Sequence, residues 1–78
     1  MHPMKRIRLR LGVSQDEVAA GIGCTRMNVS YYERGQTIPP DAARRLIAFA
    51  ATKGLNIDFN HIYGTAELPM LRREAQTA

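Results

Sequence analysis

What the chain has little of narrows its chemistry first. One cysteine in 78 residues, Cys24, excludes a disulfide framework within the chain and any multi-thiolate metal site. The two histidines, His2 and His61, stand far apart and at no metal-ligand spacing. Apolar stretches such as Leu46 to Ala51 fall far short of the ~20 residues a membrane span needs. No secretory h-region opens the chain, which predicts a protein of the reducing cytoplasm. No Ser/His/Asp or Cys/His arrangement is visible, no Gly-rich phosphate loop, and no carboxylate pair with an obvious cleft. A chain this short also has little room for a water-excluding pocket. The sequence therefore predicts no enzyme, no cofactor and no small-molecule substrate.

What is present fits one small globular domain. A second core would need roughly 50 residues of its own. The chain is 45% hydrophobic and 23% charged, close to the globular average. A domain of this size buries only about 60% of its unfolded surface, so its core is thin and dimerisation would help it. The formal charge of +4, with a pI near 9.8, suits a polyanionic partner. Residues 1–36 carry Lys5, Arg6, Arg8, Arg10, Arg26 and Arg34 against Asp16, Glu17 and Glu33, a net +3. From Thr37 onward the excess is only +1. Lys5, Arg6 and Arg10 supply a diffuse field, or only solubility.

The periodicity predicts short helices. Met4, Ile7 and Leu11 recur at helical spacing, and Gly12 stops the run. Ser14 and Glu17 form a capping box that opens a second helix, with Val18 and Ile22 inward and Gly23 as its left-handed close. Gly21 inside that helix costs about 1 kcal/mol against alanine and weakens its last turn. Thr25 caps a third helix, through about Arg34, with Val29 and Tyr32 inward and Gly35 at its end. Pro39-Pro40 keep helix out of the following loop, and Asp41 suits the N-terminus of a fourth helix whose stripe is Ala43, Leu46, Ile47 and Ala50, ended by Gly54. Leu55-Asn56-Ile57-Asp58-Phe59-Asn60 then alternates apolar and polar, the pattern of a half-buried extended segment. Ile62-Tyr63-Gly64 reads as one final turn capped by Asp58 or Asn60, and a loosely held tail follows.

Two short helices joined by Gly23-Cys24-Thr25 are the core of a helix-turn-helix. The strings Gly12-Val13-Ser14-Gln15-Asp16-Glu17-Val18-Ala19, Ile22-Gly23-Cys24-Thr25, Val29-Ser30 and Tyr32-Glu33-Arg34-Gly35 resemble the phage repressor and Cro family of helix-turn-helix proteins, over roughly residues 4–50. The departures are Gly21, Cys24 in place of a branched aliphatic residue, and the C-terminal segment. The third helix presents Arg26, Met27, Ser30 and Tyr31 outward. In a major groove Arg26 would reach a guanine edge, and Met27 and Tyr31 thymine methyls or sugar. The bland alternatives are a solvated arginine and an ordinary exposed aromatic. The resemblance further implies phosphate contacts from Gln15, which would also buttress Arg26, and from Asn28, Arg34, Gln36 and the backbone around Thr37. It also implies a structural salt bridge between Arg8 and Glu33. Cys24 reads as a small packing residue at the turn.

The resemblance implies an all-α, compact four- to five-helix domain of the lambda-repressor type with a short extended C-terminal segment. Its helix-turn-helix would span 14–35 within a domain of residues 1–64, followed by a tail, 65–78. The function implied is a sequence-specific transcriptional regulator, a Cro-like repressor on a palindromic double-stranded DNA operator, in the cytoplasm of a bacterial or phage-infected cell and associated with its nucleoid. Two other readings stand beside it: the antitoxin of a toxin–antitoxin pair, and a protein-interaction module on the same scaffold. A lone extended segment needs a partner for its backbone groups. Pairing of Leu55, Ile57 and Phe59 with a second copy, within a dimerisation segment at 55–64, would give a homodimer with recognition helices ~34 Å apart. The competing reading folds Ile57, Phe59, Ile62 and Tyr63 back on their own core.

Overall fold

Five helices follow one another in the computed structural model, which describes residues 2–64 and 67–71: α1 (Pro3–Leu11), α2 (Gln15–Ile22), α3 (Arg26–Glu33), α4 (Pro40–Thr52) and α5 (Phe59–Tyr63). No strand occurs among the described residues. Position 1 and most of the expected tail, 65, 66 and 72–78, lie outside them.

Local chemistry starts and stops each helix. Pro3 occupies the first position of α1, where its missing N–H is no loss, and the His2 Nδ1 accepts from the Met4 N–H at 3.3 Å. Gly12 closes α1 at φ 72°, its N–H donating to the carbonyls of Arg8 and Leu9. The capping box of α2 is complete: the Glu17 N–H donates to Ser14 Oγ at 3.1 Å, and the Ser14 N–H to Glu17 Oε1 at 3.2 Å. Thr25 Oγ1 accepts the Asn28 N–H at 3.1 Å to open α3. At α4 the proline pair acts differently from its sequence reading. Pro39 is the N-cap and Pro40 the first helical residue, so the helix begins inside the pair.

One core joins the five helices. Met4, Ile7 and Leu11 of α1, Val18 and Ile22 of α2, Val29 and Tyr32 of α3, and Ala43, Leu46 and Ala50 of α4 are buried together with Ile38, Leu55, Ile57 and Ile62. Helix α2 packs on α3 and α4, and α1 packs on α3 and α5. Each fully buried large aliphatic contributes about 1.5–3 kcal/mol by leaving water.

Two segments differ from their sequence reading. Leu55 and Ile57 do alternate inward, but into their own core, and Phe59 and Asn60 belong to α5. The Asp58 side chain caps α5, accepting the Asn60 N–H at 2.9 Å, so the alternation ends in a helix instead of a pairing edge. Leu55 and Ile57 are buried in their own domain's core, while Phe59 is 44% exposed. The tail is also held further than expected. Leu71 is only 3% exposed in the core, Leu68 packs against it, and Arg10 Nη1 donates to the Pro69 carbonyl at 3.0 Å.

Gly21 owes its place to packing. A Cβ there would overlap the ring of Phe49 on α4, so glycine lets α2 and α4 close up. Lys53 sets its ammonium 5.8 Å from the centroid of the same ring. Gly21→Ala is therefore expected to lower stability by about 1–3 kcal/mol through overpacking. In a Phe49→Ala background the sign reverses, and the same change stabilises α2 by about 1 kcal/mol through helix propensity. Thermal melts of the four proteins check this; a stabilising Gly21→Ala with Phe49 present contradicts it.

Candidate nucleic-acid interface

The turn between α2 and α3 sets the geometry of the exposed face. Gly23 takes φ 72°, and the Cys24 N–H returns to the Ala19 carbonyl at 3.0 Å, so the chain reverses within three residues before Thr25 caps α3. Cys24 packs at the edge of the core. Burial pushes its thiol pKa up against the opposing field of Arg45.

With Val29 and Tyr32 committed inward, α3 turns Arg26, Met27, Asn28 and Tyr31 to solvent, with Ser30 half-buried between them. An open groove of about 520 Å³ runs along this face, lined by Gln15, Thr25, Arg26, Met27, Ser30 and Arg34. Its lining holds two guanidinium groups and no carboxylate, and the N-terminus of α3 adds the positive end of a helix dipole. The Arg34 guanidinium lies 5.9 Å from the Tyr31 ring centroid, within cation–π range.

The structure thus brings Gln15, Arg26, Met27, Ser30 and Arg34 together in one groove. Asn28 and Tyr31 stand outside that lining on the same helix. Gln36 and Thr37 do not share the groove. They line a smaller one, about 220 Å³, with His2, Pro3, Ile38, Ile62 and Tyr63. Sequence reasoning did not assign Thr25 to the site, although its role as N-cap already places it beside Arg26. The exposed pair Phe59 and Tyr63 lies on α5, with rings stacked at a centroid distance of 6.1 Å.

Behind the groove, Arg8, Glu33 and Gln15 form one polar cluster. Arg8 Nε donates to Glu33 Oε2 at 2.5 Å and Nη2 to Oε1 at 3.2 Å, a bidentate ion pair between α1 and the end of α3. Arg8 Nη1 also reaches the Val13 carbonyl at 3.2 Å, and Gln15 Nε2 donates to Glu33 Oε1 at 3.2 Å. Burial alone would raise the Glu33 carboxyl. The hydrogen bonds from Arg8 and Gln15, with the charges of Arg8 and Lys5, outweigh it and hold the pKa below the ordinary value. The hydrogen bond to Glu33 likewise pushes the Arg8 pKa up.

Among the described residues no helix is long and apolar enough to cross a membrane, and no cluster of His, Cys, Asp and Glu is arranged to hold a metal. The helix-turn-helix family model matches residues 4–50, well over half of the chain. No curated protein and no solved structure matches it.

The depressed Glu33 pKa fixes the sign of an acid effect. Its folded value lies below the unfolded 4.5, so its contribution is fully present above pH 4.5 and is lost as pH falls through the lower folded value. Urea unfolding between pH 6 and pH 3 should show that loss, and Glu33→Gln should be less stable at pH 6 and flatter over the same window. A Glu33→Gln curve parallel to wild type contradicts the assignment.

Proposed function

Since this chain belongs to the helix-turn-helix family, we propose that it is a sequence-specific DNA-binding transcriptional regulator, a Cro-like repressor acting on a palindromic operator. The observation that carries the reading is the carboxylate-free groove where Arg26 and Arg34 flank the outward face of α3. An α-helix with that face fits a B-DNA major groove, about 12 Å wide. Arg26, at the N-terminal end of α3, reads a guanine edge through O6 and N7, and Met27, Ser30 and Tyr31 make the neighbouring base and methyl contacts. Gln15, Asn28 and Arg34 hold phosphates on the near strand. Gln36 and the backbone at Thr37, in their separate groove, hold the phosphates beyond the end of α3.

A palindromic site calls for two copies. With Leu55 and Ile57 enclosed in the core, the homodimer reading rests on Phe59, with Tyr63 stacked beside it. On such a site the two α3 helices must lie one DNA turn, ~34 Å, apart.

Selection from random duplexes followed by titration tests the proposal. Log affinity should fall linearly with log salt, with a slope of about 0.9 for each phosphate neutralised. A flat titration removes the DNA-binding reading. On the selected site, Arg26→Ala should cost about 1–3 kcal/mol and erase preference at one or two base pairs. An unchanged sequence preference shows that Arg26 does not read bases.

A further inference from the structure

Glu33 lies outside the groove lining, its side chain is 7% exposed, and yet it contacts a groove residue directly through the Gln15 amide. The chemistry of that contact fixes an orientation. An ionised carboxylate only accepts, so the amide face turned toward it is the nitrogen and not the oxygen. Of the four hydrogen-bonding sites on the Gln15 amide, one N–H is spent on Glu33 Oε1. The other N–H and the carbonyl oxygen are what Gln15 has left for the groove it lines. Without Glu33 the amide is free to rotate by half a turn and exchange donor for acceptor at the same place.

We propose that Glu33 is a positioning residue for DNA binding: through its hydrogen bond it fixes the rotamer and amide orientation of Gln15, so that donor and acceptor stand ready beside Arg26 before DNA arrives. This rests on the DNA-binding reading above. Arg8 completes the device. Its bidentate pairing holds the Glu33 carboxylate in place, so a partly buried ion pair links α1 to a groove side chain. The benefit is entropic, because a glutamine ordered beforehand loses less rotamer freedom on binding.

A double-mutant cycle on DNA affinity separates positioning from general support of the fold. Wild type, Gln15→Ala, Glu33→Gln and the double variant are titrated with the selected duplex at a temperature where circular dichroism shows all four folded. Each single change should weaken binding about tenfold, and the double variant should be no weaker than about tenfold, because both remove the same device. Independent losses multiplying to about a hundredfold overturn the proposal, as does a Glu33→Gln protein that binds like wild type. Where Glu33→Gln does not fold, Glu33→Asp takes its place in the cycle: it keeps the charge for Arg8 but is one methylene too short to serve both partners. The same two outcomes decide it. A wild type that binds no duplex at all is a separate result, which removes the DNA-binding reading itself.

Discussion

The ion pair between Arg8 and Glu33 stands where three elements meet: the last turn of α1, the turn into α2 at Val13, and the C-terminal end of α3. A domain of this size has a thin core and few ways to fix the angle between short helices. Both side chains are largely withdrawn from water, at 16% and 7% exposure, so the pair carries a desolvation cost that only good geometry offsets. It has that geometry, since both carboxylate oxygens are engaged and a third Arg8 N–H finds the Val13 carbonyl. Taking away either partner would leave the other charge partly withdrawn from water without its counter-ion. The groove-lining ends of α2 and α3 are registered against α1 by this cluster, and the exposed face inherits that registration.

The helices themselves were legible because local signals agreed with tertiary demand. Ser14 with Glu17, Thr25 with Asn28, and Gly12 and Gly23 at positive φ each act as the spacing says, and the apolar stripes follow the same register. Three features were not legible for a common reason: they depend on contacts distant in sequence. Gly21 looked like a weak point in α2, and only the ring of Phe49, on another helix, explains it. Leu55 and Ile57 looked like half of a strand pair, because a period of two records which side chains go inward but not what covers them. The tail looked loose, yet Leu71 is buried in the core and the Pro69 carbonyl is held by Arg10 of α1.

The candidate site was legible in a different way. Which residues of α3 face outward follows from Val29 and Tyr32 facing inward, so Arg26, Met27, Ser30 and Tyr31 could be named from periodicity alone. Gln15, Arg34 and the Arg8–Glu33 pair came from resemblance, since nothing in their spacing brings them together. The separate groove of Gln36 and Thr37, closed by His2 and Tyr63, was not legible by either route. It depends on α5 folding back on the loop after α3, where the Tyr63 hydroxyl donates to the Ile38 carbonyl.

The central claim is that the groove between the start of α2 and the outward face of α3 is where DNA binds. Titrating a duplex carrying the selected site into isotopically labelled protein, and following each backbone amide by two-dimensional NMR, tests it most directly. Binding in that groove shifts Gln15 and Thr25 to Arg34 most, Gln36 and Thr37 less, and Leu68 to Leu71 little. Shifts concentrated on α5 or the tail segment, with the α3 amides unmoved, would contradict it.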